Sequence, residues 1–271
     1  NRLSNVRDWH LMQCYNGLVT LTTATKRVLG SEEDGSGYLP SQIAKEVEVL
    51  CRLAELLLDG PFASCSSQIT RTLHRIHTED LTSSRGIEDG CSLYAVDIGL
   101  QLSMFSDGII QSIARSRALG SMTRNLGRHV LDMFVRHAVL VFPLSETGRH
   151  RLATDMARIE HAVDSICPVG ALRESYMALR SLRNLFSLCD DELIAATPSL
   201  IESLIYLRPS HVAYHLFSRC SDSKFVHPHR RDNKTPSEFS DWLDAHSEDE
   251  AWADVLKSVQ NYEAGLPHPG Q

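Results

Sequence analysis

The 271-residue sequence is poor in aromatic residues and in glycine, and it contains no long apolar run. Aromatic residues make up 7% of the chain and glycine occurs 15 times, whereas Leu, Ala, Ser, Arg and Glu are plentiful. Because strands are enriched in aromatic and β-branched residues, this composition favours helices. The apolar run around Leu140 covers only residues 138–142, far short of the roughly 20 residues that a membrane-spanning helix needs. We therefore predict a helical chain without a transmembrane segment.

The cysteines and the net charge disfavour further classes of protein. There are seven cysteines, an odd number, and no two of them form a C-x-x-C pair. This pattern is typical of a reduced, intracellular protein rather than of a disulfide-stabilised secreted domain. The formal net charge of −7 disfavours a general nucleic-acid-binding protein. The chain begins with Asn1 and shows no signal peptide, so we expect it to be a piece of a longer protein.

The short motifs of common catalytic sites are missing as well. The sequence has no P-loop, no G-x-G-x-x-G, no G-x-S-x-G and no zinc-ligand spacing. The acids at 190–192 are adjacent and point in different directions around a helix, so we assign them to a helix N-terminus rather than to a magnesium site. We predict a protein that is not an enzyme, with no catalytic residue, no cofactor and no metal.

Three other stretches invite a metal interpretation that their patterns do not support. His74 and His77 lie three residues apart, but zinc would need a third ligand from elsewhere, so we interpret the pair as a solvated polar helix face. His227 and His229 lie in a basic, irregular loop, where histidine content alone is only a compositional hint. The acidic, Gly- and Ser-rich stretch at 30–40 lacks the alternating oxygen ligands of a calcium loop, and we predict an exposed loop there.

What the sequence does contain is a strong helical pattern, clearest between residues 122 and 187. Apolar side chains recur there at steps of three and four, which indicates buried helix faces. Pro143 must lie at or beyond the end of the first helix, and Ser145 can cap the second. Short breaks between long amphipathic helices favour antiparallel neighbours in a bundle, so we predict an all-α fold of elongated, stacked helical bundles. The three predicted buried faces are Met122, Leu126, Val130, Met133, His137 and Leu140; Leu152, Met156, Ile159, Val163 and Ile166; and Leu172, Tyr176, Leu179, Leu182 and Phe186.

The patterns elsewhere are shorter. A helix from Ser41 to Leu58 is expected to stop at Gly60-Pro61, and a second one to follow over 66–78. On the next apolar segment we expect Leu93, Val96, Leu100 and Met104 to face inward, and on the last helix Trp252, Val255, Leu256 and Val259. Arg208-Pro209 marks a boundary between a helical segment at 1–208 and a small C-terminal helical subdomain with a loose tail at 209–271.

Several blocks of the sequence are similar to one known family. They are residues 136–146 (RHAVLVFPLSE), 151–157 (RLATDMA), 160–163 (EHAV), 175–183 (SYMALRSLR) and 239–246 (FSDWLDAH). Their order and spacing resemble the C-terminal part of subunit five of the conserved oligomeric Golgi complex, a helical-rod tethering family. The resemblance covers 135–187 and returns at 237–250. This sequence has Phe142 where the family has a basic residue, and Asn184 where the family has a proline.

The resemblance implies a non-catalytic subunit of a multisubunit vesicle-tethering complex in intra-Golgi retrograde transport. It implies a peripheral location on the cytosolic face of the Golgi membrane. The implied partners are the other subunits of the complex, particularly subunit seven, and further candidates are vesicle-fusion and coiled-coil tether proteins. Two alternatives stay open: another all-α scaffold or adaptor, and an all-α enzyme with a buried polar pocket. Inward-facing, mutually bonded carboxylates or histidines would favour the enzyme.

Arginines accumulate on the outer faces of the predicted helices. One interpretation is a partner surface, formed by Arg124, Arg128, Arg173, Arg180 and Arg183, that docks an acidic protein segment or anionic lipid headgroups. The alternative is a solvated helix surface with weak local salt bridges. The C-terminal end cannot join such a surface, because residues 238–254 include seven acids and no Lys or Arg.

Overall fold

A computed structural model describes residues 2–30, 41–79, 81, 90–189, 192, 202, 204–220 and 225–264. This part of the chain is built from ten α-helices and three short 3-10 turns and has no β-strand, which confirms the all-α class. The helices are α1 (Arg2–Gly30), α2 (Ser41–Leu73), α3 (Leu93–Gly108), α4 (Arg117–Ala138), α5 (Glu146–Asp164), α6 (Glu174–Ser187), α7 (Pro209–Arg219), α8 (Pro228–Arg231), α9 (Pro236–Ala245) and α10 (Glu248–Ala264). The 3-10 turns are His74–His77, Ile110–Ser112 and Val169–Leu172. The elongated, stacked arrangement stays a prediction.

Helix α4 lies at the centre and packs against α2, α5, α6 and α9. Ser116 caps it, since the Ser116 side chain accepts a hydrogen bond from the Leu119 N–H. Its predicted inward positions Leu126, Val130 and Met133 are buried. The helix therefore brings residues from both halves of the chain onto one apolar core.

The next two helices follow their predicted patterns closely. Ser145 caps α5 by accepting from the Gly148 N–H, as its position before Glu146 indicates. All five predicted inward positions of α5 are buried, as are Leu179, Leu182 and Phe186 of α6. A β-carbon at Gly127 of α4 would lie 2.9 Å from the sulfur of Cys167, so a glycine is needed where α4 approaches the end of α5.

Helix α2 differs from its prediction. It continues through Gly60 and Pro61 to Leu73 instead of stopping at Leu58. Proline removes one hydrogen bond of the helix, but Leu58, Phe62 and Cys65 on either side of it are buried in one helical register. Burial of this continuous face against neighbouring helices outweighs the local preference of Pro61.

The inward faces predicted for α3 and α10 were wrong in part. On α3 the structure buries Tyr94, Ala95, Ile98, Leu102 and Ser106, and it leaves Leu93, Leu100 and Met104 exposed. On α10 it buries Ala251, Val255 and Ser258, and it exposes Trp252 and Leu256. Helix α3 is apolar on most of its circumference, so its periodicity does not determine which face packs. Its two neighbours, α2 and α5, determine it.

The last helices pack on one another and on α4. Helix α7 packs against α10. It also contacts α9, since the ring centroids of Tyr214 on α7 and Phe239 on α9 lie 5.4 Å apart. The Leu144 N–H donates to the Ser218 carbonyl at 2.8 Å, and the Ser218 hydroxyl donates to the Val139 carbonyl at 3.0 Å. These bonds fasten α7 to the chain that follows α4. The domain boundary at 208/209 stays a prediction, and the stretches at 31–40, 82–89, 190–191 and 265–271 lie outside the described residues.

Candidate functional site

Two of the five predicted arginines line the same groove. Arg128 of α4 and Arg173, just before α6, line a groove of about 420 Å³. Asp132, Glu174 and Tyr206 also line it, and we call these five residues the arginine groove. It therefore contains two guanidinium groups, two carboxyl groups and an aromatic ring rather than cations alone.

Arg173 has an unusual backbone conformation. Its φ of 41° lies in the left-handed region that residues with a side chain rarely adopt. Leu172 before it is buried and α6 begins directly after it, so the chain must turn sharply at this residue. Such backbone strain is of order 1–3 kcal/mol and persists where the surrounding packing fixes it. The groove thus contains an arginine whose backbone conformation is fixed by the packing of the residues on either side of it.

Asp132 lies in the groove beside these arginines. Burial raises the pKa of its carboxyl group, while a hydrogen bond with Ser175 and the charges of Arg136 and Arg128 oppose that shift. The carboxyl is therefore integrated into the α4–α6 contact. It reduces the net positive charge that a ligand entering the groove would meet.

The remaining predicted arginines have different surroundings. Arg183 forms an ion pair with Glu160 of α5 at 2.5 Å, so it joins α6 to α5. The Arg180 guanidinium lies 6.0 Å from the centre of the Tyr176 ring on the same helix. Arg124 is exposed on α4, one turn before Arg128. The local salt-bridge interpretation therefore fits Arg183 best.

The structure brings together histidines that are far apart in the sequence. We call His74, His77, His137, His227 and His229 the histidine cluster. The Nε2 atom of His77 lies 2.8 Å from Nδ1 of His137, and the Nδ1 atoms of His227 and His229 lie 2.6 Å apart. The ring centres of His74 and His137 are 4.9 Å apart. The predicted solvated face at 74 and 77 was wrong, because both rings contact the fully buried His137.

Burial keeps the imidazoles of His77, His137, His227 and His229 neutral by lowering their pKa values. It lowers the pKa of His77 and of His227 to about 3, that of His137 to about 2 and that of His229 to about 4. Neighbouring imidazoles lower the pKa values of His77, His137 and His227 further. Arg136 acts on His137 in the same direction, and Arg230 on His227 and His229. Every one of these charge effects disfavours a further positive charge.

The cluster joins the C-terminal helices to α4 and to the 3-10 turn that follows α2. The Ser240 hydroxyl of α9 lies 3.4 Å from Nε2 of His137, and the His227 ring lies 5.1 Å from the Phe142 ring. The Arg230 guanidinium lies 5.1 Å from the centre of the Phe142 ring. Among the described residues, no group of three His, Cys, Asp or Glu side chains is arranged to hold a metal ion. The geometry therefore indicates a packed junction.

A second buried polar network surrounds Asp155 of α5. The Tyr94 hydroxyl donates to one of its carboxylate oxygens at 2.7 Å, and the Ser92 N–H donates to the other at 2.6 Å. Arg151 donates to the Ser92 hydroxyl at 2.8 Å and lies 3.5 Å from the Glu79 carboxylate. Burial raises the pKa of Asp155, and the hydrogen bonds from Ser92 and Tyr94 oppose that shift. These bonds fasten the start of α3 to α5.

This network and the histidine cluster are both the kind of feature that the enzyme alternative required, but their positions fit packing. The arginine groove is lined by other residues. A second cavity, of about 470 Å³, lies between α1, α2 and the start of α4, and is also lined by other residues. Asp155 is fully buried, and its oxygens accept bonds from the chain itself. Nothing in the sequence links Asp155 to Ser92 and Tyr94, because no periodic pattern connects positions about 60 residues apart.

The helices that the structure describes are too short or too polar for a bilayer. None of them is long and apolar enough to span a membrane.

Comparisons with known proteins agree with the blocks quoted from the sequence. No protein-family model and no solved structure matches the chain. Three curated proteins do, each named conserved oligomeric Golgi complex subunit 5. The Arabidopsis thaliana protein is 33% identical over 165 residues, which are 58% of this chain and 19% of that protein. The mouse protein is 27% identical over 236 residues, 85% of this chain and 28% of that protein.

The Drosophila melanogaster protein is 22% identical over 267 residues, which are 96% of this chain and 35% of that protein. The chain thus spans about a fifth to a third of the length of these relatives. The matches confirm the resemblance that the sequence blocks predicted. The chain is similar to conserved oligomeric Golgi complex subunit 5 and resembles the C-terminal region of that subunit.

Proposed function

We propose that the protein is a non-catalytic subunit of the conserved oligomeric Golgi complex and acts as a helical scaffold in vesicle tethering. The observation that carries this proposal is the similarity of most of the chain to proteins named as subunit 5 of that complex. The all-α architecture supports it, since apolar contacts between long helices make a stiff support. The buried polar networks support it too, because they hold helices together.

The location and the partners belong to the same proposal. We propose that the protein acts in intra-Golgi retrograde transport as a peripheral protein on the cytosolic face of the Golgi membrane. Its partners would be other subunits of the complex, particularly subunit seven, with vesicle-fusion and coiled-coil tether proteins as further partners. A scaffold that contacts subunits at one place and vesicle proteins at another raises the effective concentration of each for the other. Tethering then needs no single strong contact.

We propose the exposed arginines as one partner surface on this scaffold. Arg124 and Arg128 are exposed on α4, Arg173 just before α6 and Arg180 on α6. Arg128 and Arg173 line the arginine groove. An acidic protein segment is the chemistry that fits, with an apolar side chain beside Tyr206. Arg183 is tied to Glu160 and would contribute to the packing of α6 against α5.

A pull-down of the full chain from cytosol, with bound proteins identified by mass spectrometry, tests the proposal. We expect other Golgi-tether subunits to be recovered. The double variant Arg128→Glu/Arg173→Glu should recover at least one of them less well while its thermal unfolding stays unchanged. Arg71→Glu, a charge reversal at an exposed arginine on α2, is the matched control. Recovery of no tether subunit by the unmodified chain would contradict the scaffold proposal, and equal recovery by both variants would contradict the arginine surface.

A further inference from the structure

Helix α10 carries its largest apolar side chains on the outside. It packs against α7 and α8 through small or medium residues, namely Ala251, Val255 and Ser258. Trp252 is 41% exposed and Leu256 is 48% exposed. These two side chains lie four residues apart and therefore stack on successive turns of one face. Tryptophan is the residue type most enriched among the side chains that dominate binding energy at protein interfaces.

Acidic residues flank this apolar pair at both ends of the helix. Asp249 is exposed and precedes Trp252 by three residues, so it lies one turn away on the same face. Glu263 follows Leu256 by seven residues, two turns further along that face. Helix α10 contains a single lysine, Lys257, and its charge lowers the pKa of Asp232, which places it toward α8 instead.

We infer that the face formed by Trp252 and Leu256, with Asp249 and Glu263 at its ends, docks an amphipathic helix that has an apolar centre and Lys or Arg at both ends. Asp249 and Glu263 are 14 residues apart, which is about 21 Å along a helix. A partner helix lying alongside would need its basic residues at a similar separation. We call this face the α10 face. The inference rests on this helix alone and goes beyond the proposed scaffold function.

The same charges argue against other occupants. Two copies of the chain meeting through this face would bring acidic ends together in either orientation, and like charges across an interface oppose association. An anionic membrane surface would be repelled by the acids that flank Trp252. A helix with basic ends gains from both the apolar centre and the acidic ends.

The test uses a fluorescently labelled synthetic peptide of 18 residues that forms an amphipathic helix, with a leucine ridge and two lysines near each end. We expect saturable binding to the full chain, measured by fluorescence anisotropy. Trp252→Ala/Leu256→Ala should weaken it by about tenfold or more, as loss of a central anchor does. Asp249→Lys/Glu263→Lys should also weaken it, and should raise the affinity for a peptide with glutamates in place of the lysines. Leu216→Ala, at an exposed leucine of α7, is the matched control and should leave the affinity unchanged.

Several results would overturn the inference. One is the absence of saturable binding up to about 1 mM peptide, which is the limit of weak specific association. Another is equal binding of the lysine and glutamate peptides, which would mean that charge plays no part. Self-association of the chain that Trp252→Ala abolishes would assign the face to a second copy. Binding to phosphatidylserine vesicles that the same variant abolishes would assign it to membranes. The recovery of tether subunits in the pull-down is a separate readout, so failure here leaves the scaffold proposal standing.

Discussion

Two of the buried polar junctions in the described part of the chain are built from opposite chemistry. Around Asp155 a carboxyl group accepts hydrogen bonds from Ser92 and Tyr94, with Arg151 nearby. Around His137 the buried groups are imidazoles, and the neighbours that shift their pKa values are imidazoles and arginines. The first junction connects α3 to α5, whereas the second connects the C-terminal helices to α4 and to the 3-10 turn after α2.

The difference matters most when the pH changes. At the first junction burial raises the pKa of Asp155 above its ordinary 3.8, so the folded protein takes up a proton more readily than the unfolded chain. At the second junction burial lowers the pKa values of the histidines far below 6.5, so the unfolded chain takes up protons more readily. Acidification therefore relieves a cost at Asp155 and destabilises the histidine cluster. The junction that acid weakens is one of the contacts that attach the C-terminal helices.

Removing the Asp155 carboxyl should have the largest effect on stability. Asp155→Ala leaves the Ser92 N–H and the Tyr94 hydroxyl buried without an acceptor, and each such group costs about 1–3 kcal/mol. We expect the free energy of unfolding to fall by about 4 kcal/mol, measured by urea denaturation at pH 7. Asp155→Asn, which keeps an acceptor oxygen, should lose less. A decrease under about 1 kcal/mol for the alanine variant would show that the network does not fasten α3 to α5.

Acid should destabilise the protein through the second junction. A histidine whose pKa is lowered in the folded protein does not reduce the free energy of unfolding above pH 6.5, its ordinary pKa. Below pH 6.5 the unfolded chain binds the proton and the folded protein does not, so the free energy of unfolding falls until the pH reaches the folded pKa. For a fully buried histidine such as His137 or His227, this penalty is about 2 kcal/mol at pH 5, since each pH unit corresponds to 1.36 kcal/mol. We expect the free energy of unfolding to fall by at least about 2 kcal/mol between pH 7 and pH 5, and by more to the extent that each further histidine with a lowered pKa adds its own penalty.

Two variants separate the histidine cluster from the other histidines. His137→Asn places a polar group near the position of Nδ1 but does not titrate, so the loss between pH 7 and pH 5 should become smaller. It should not vanish, because burial also lowers the pKa values of His211 and His215 to about 3. His150→Asn changes an exposed histidine on α5 and should leave the pH dependence as it was. An unchanged pH dependence in His137→Asn would mean that the cluster opens before it takes up protons.

The sequence predicted those elements in which one face is apolar and the other is polar. The central helices α4, α5 and α6 have that pattern, and most of their inward positions follow from it. Pro143 and the cap residue Ser145 mark the break between α4 and α5 clearly. Where propensity and burial conflict, as at Pro61, local rules failed because tertiary packing determines whether a helix continues.

The two polar junctions were not predictable from a single sequence. His77 and His137 are 60 positions apart, and both lie far along the chain from His227. Local patterns report which face of one helix is buried but not which helix packs against it. The arginine surface was predicted from spacing alone, and the structure shows that Arg183 makes an ion pair within the bundle. Contacts between distant segments require the fold.

The smallest effect should come from an exposed apolar residue, and it tests the corrected orientation of α3. Leu100 is 53% exposed although the sequence pattern predicted it to face inward, whereas Ile98 is fully buried. Leu100→Ser should change the free energy of unfolding by no more than about 0.5 kcal/mol, as for other surface positions. Ile98→Ala should lower it by about 2–5 kcal/mol, since it leaves a cavity between α2, α3 and α5. Urea denaturation measures both losses. Equal losses in the two variants would contradict the orientation of α3 described above. A larger loss for Ile98→Ala would mean that packing against α2 and α5, and not periodicity, determines which side of this apolar helix is buried.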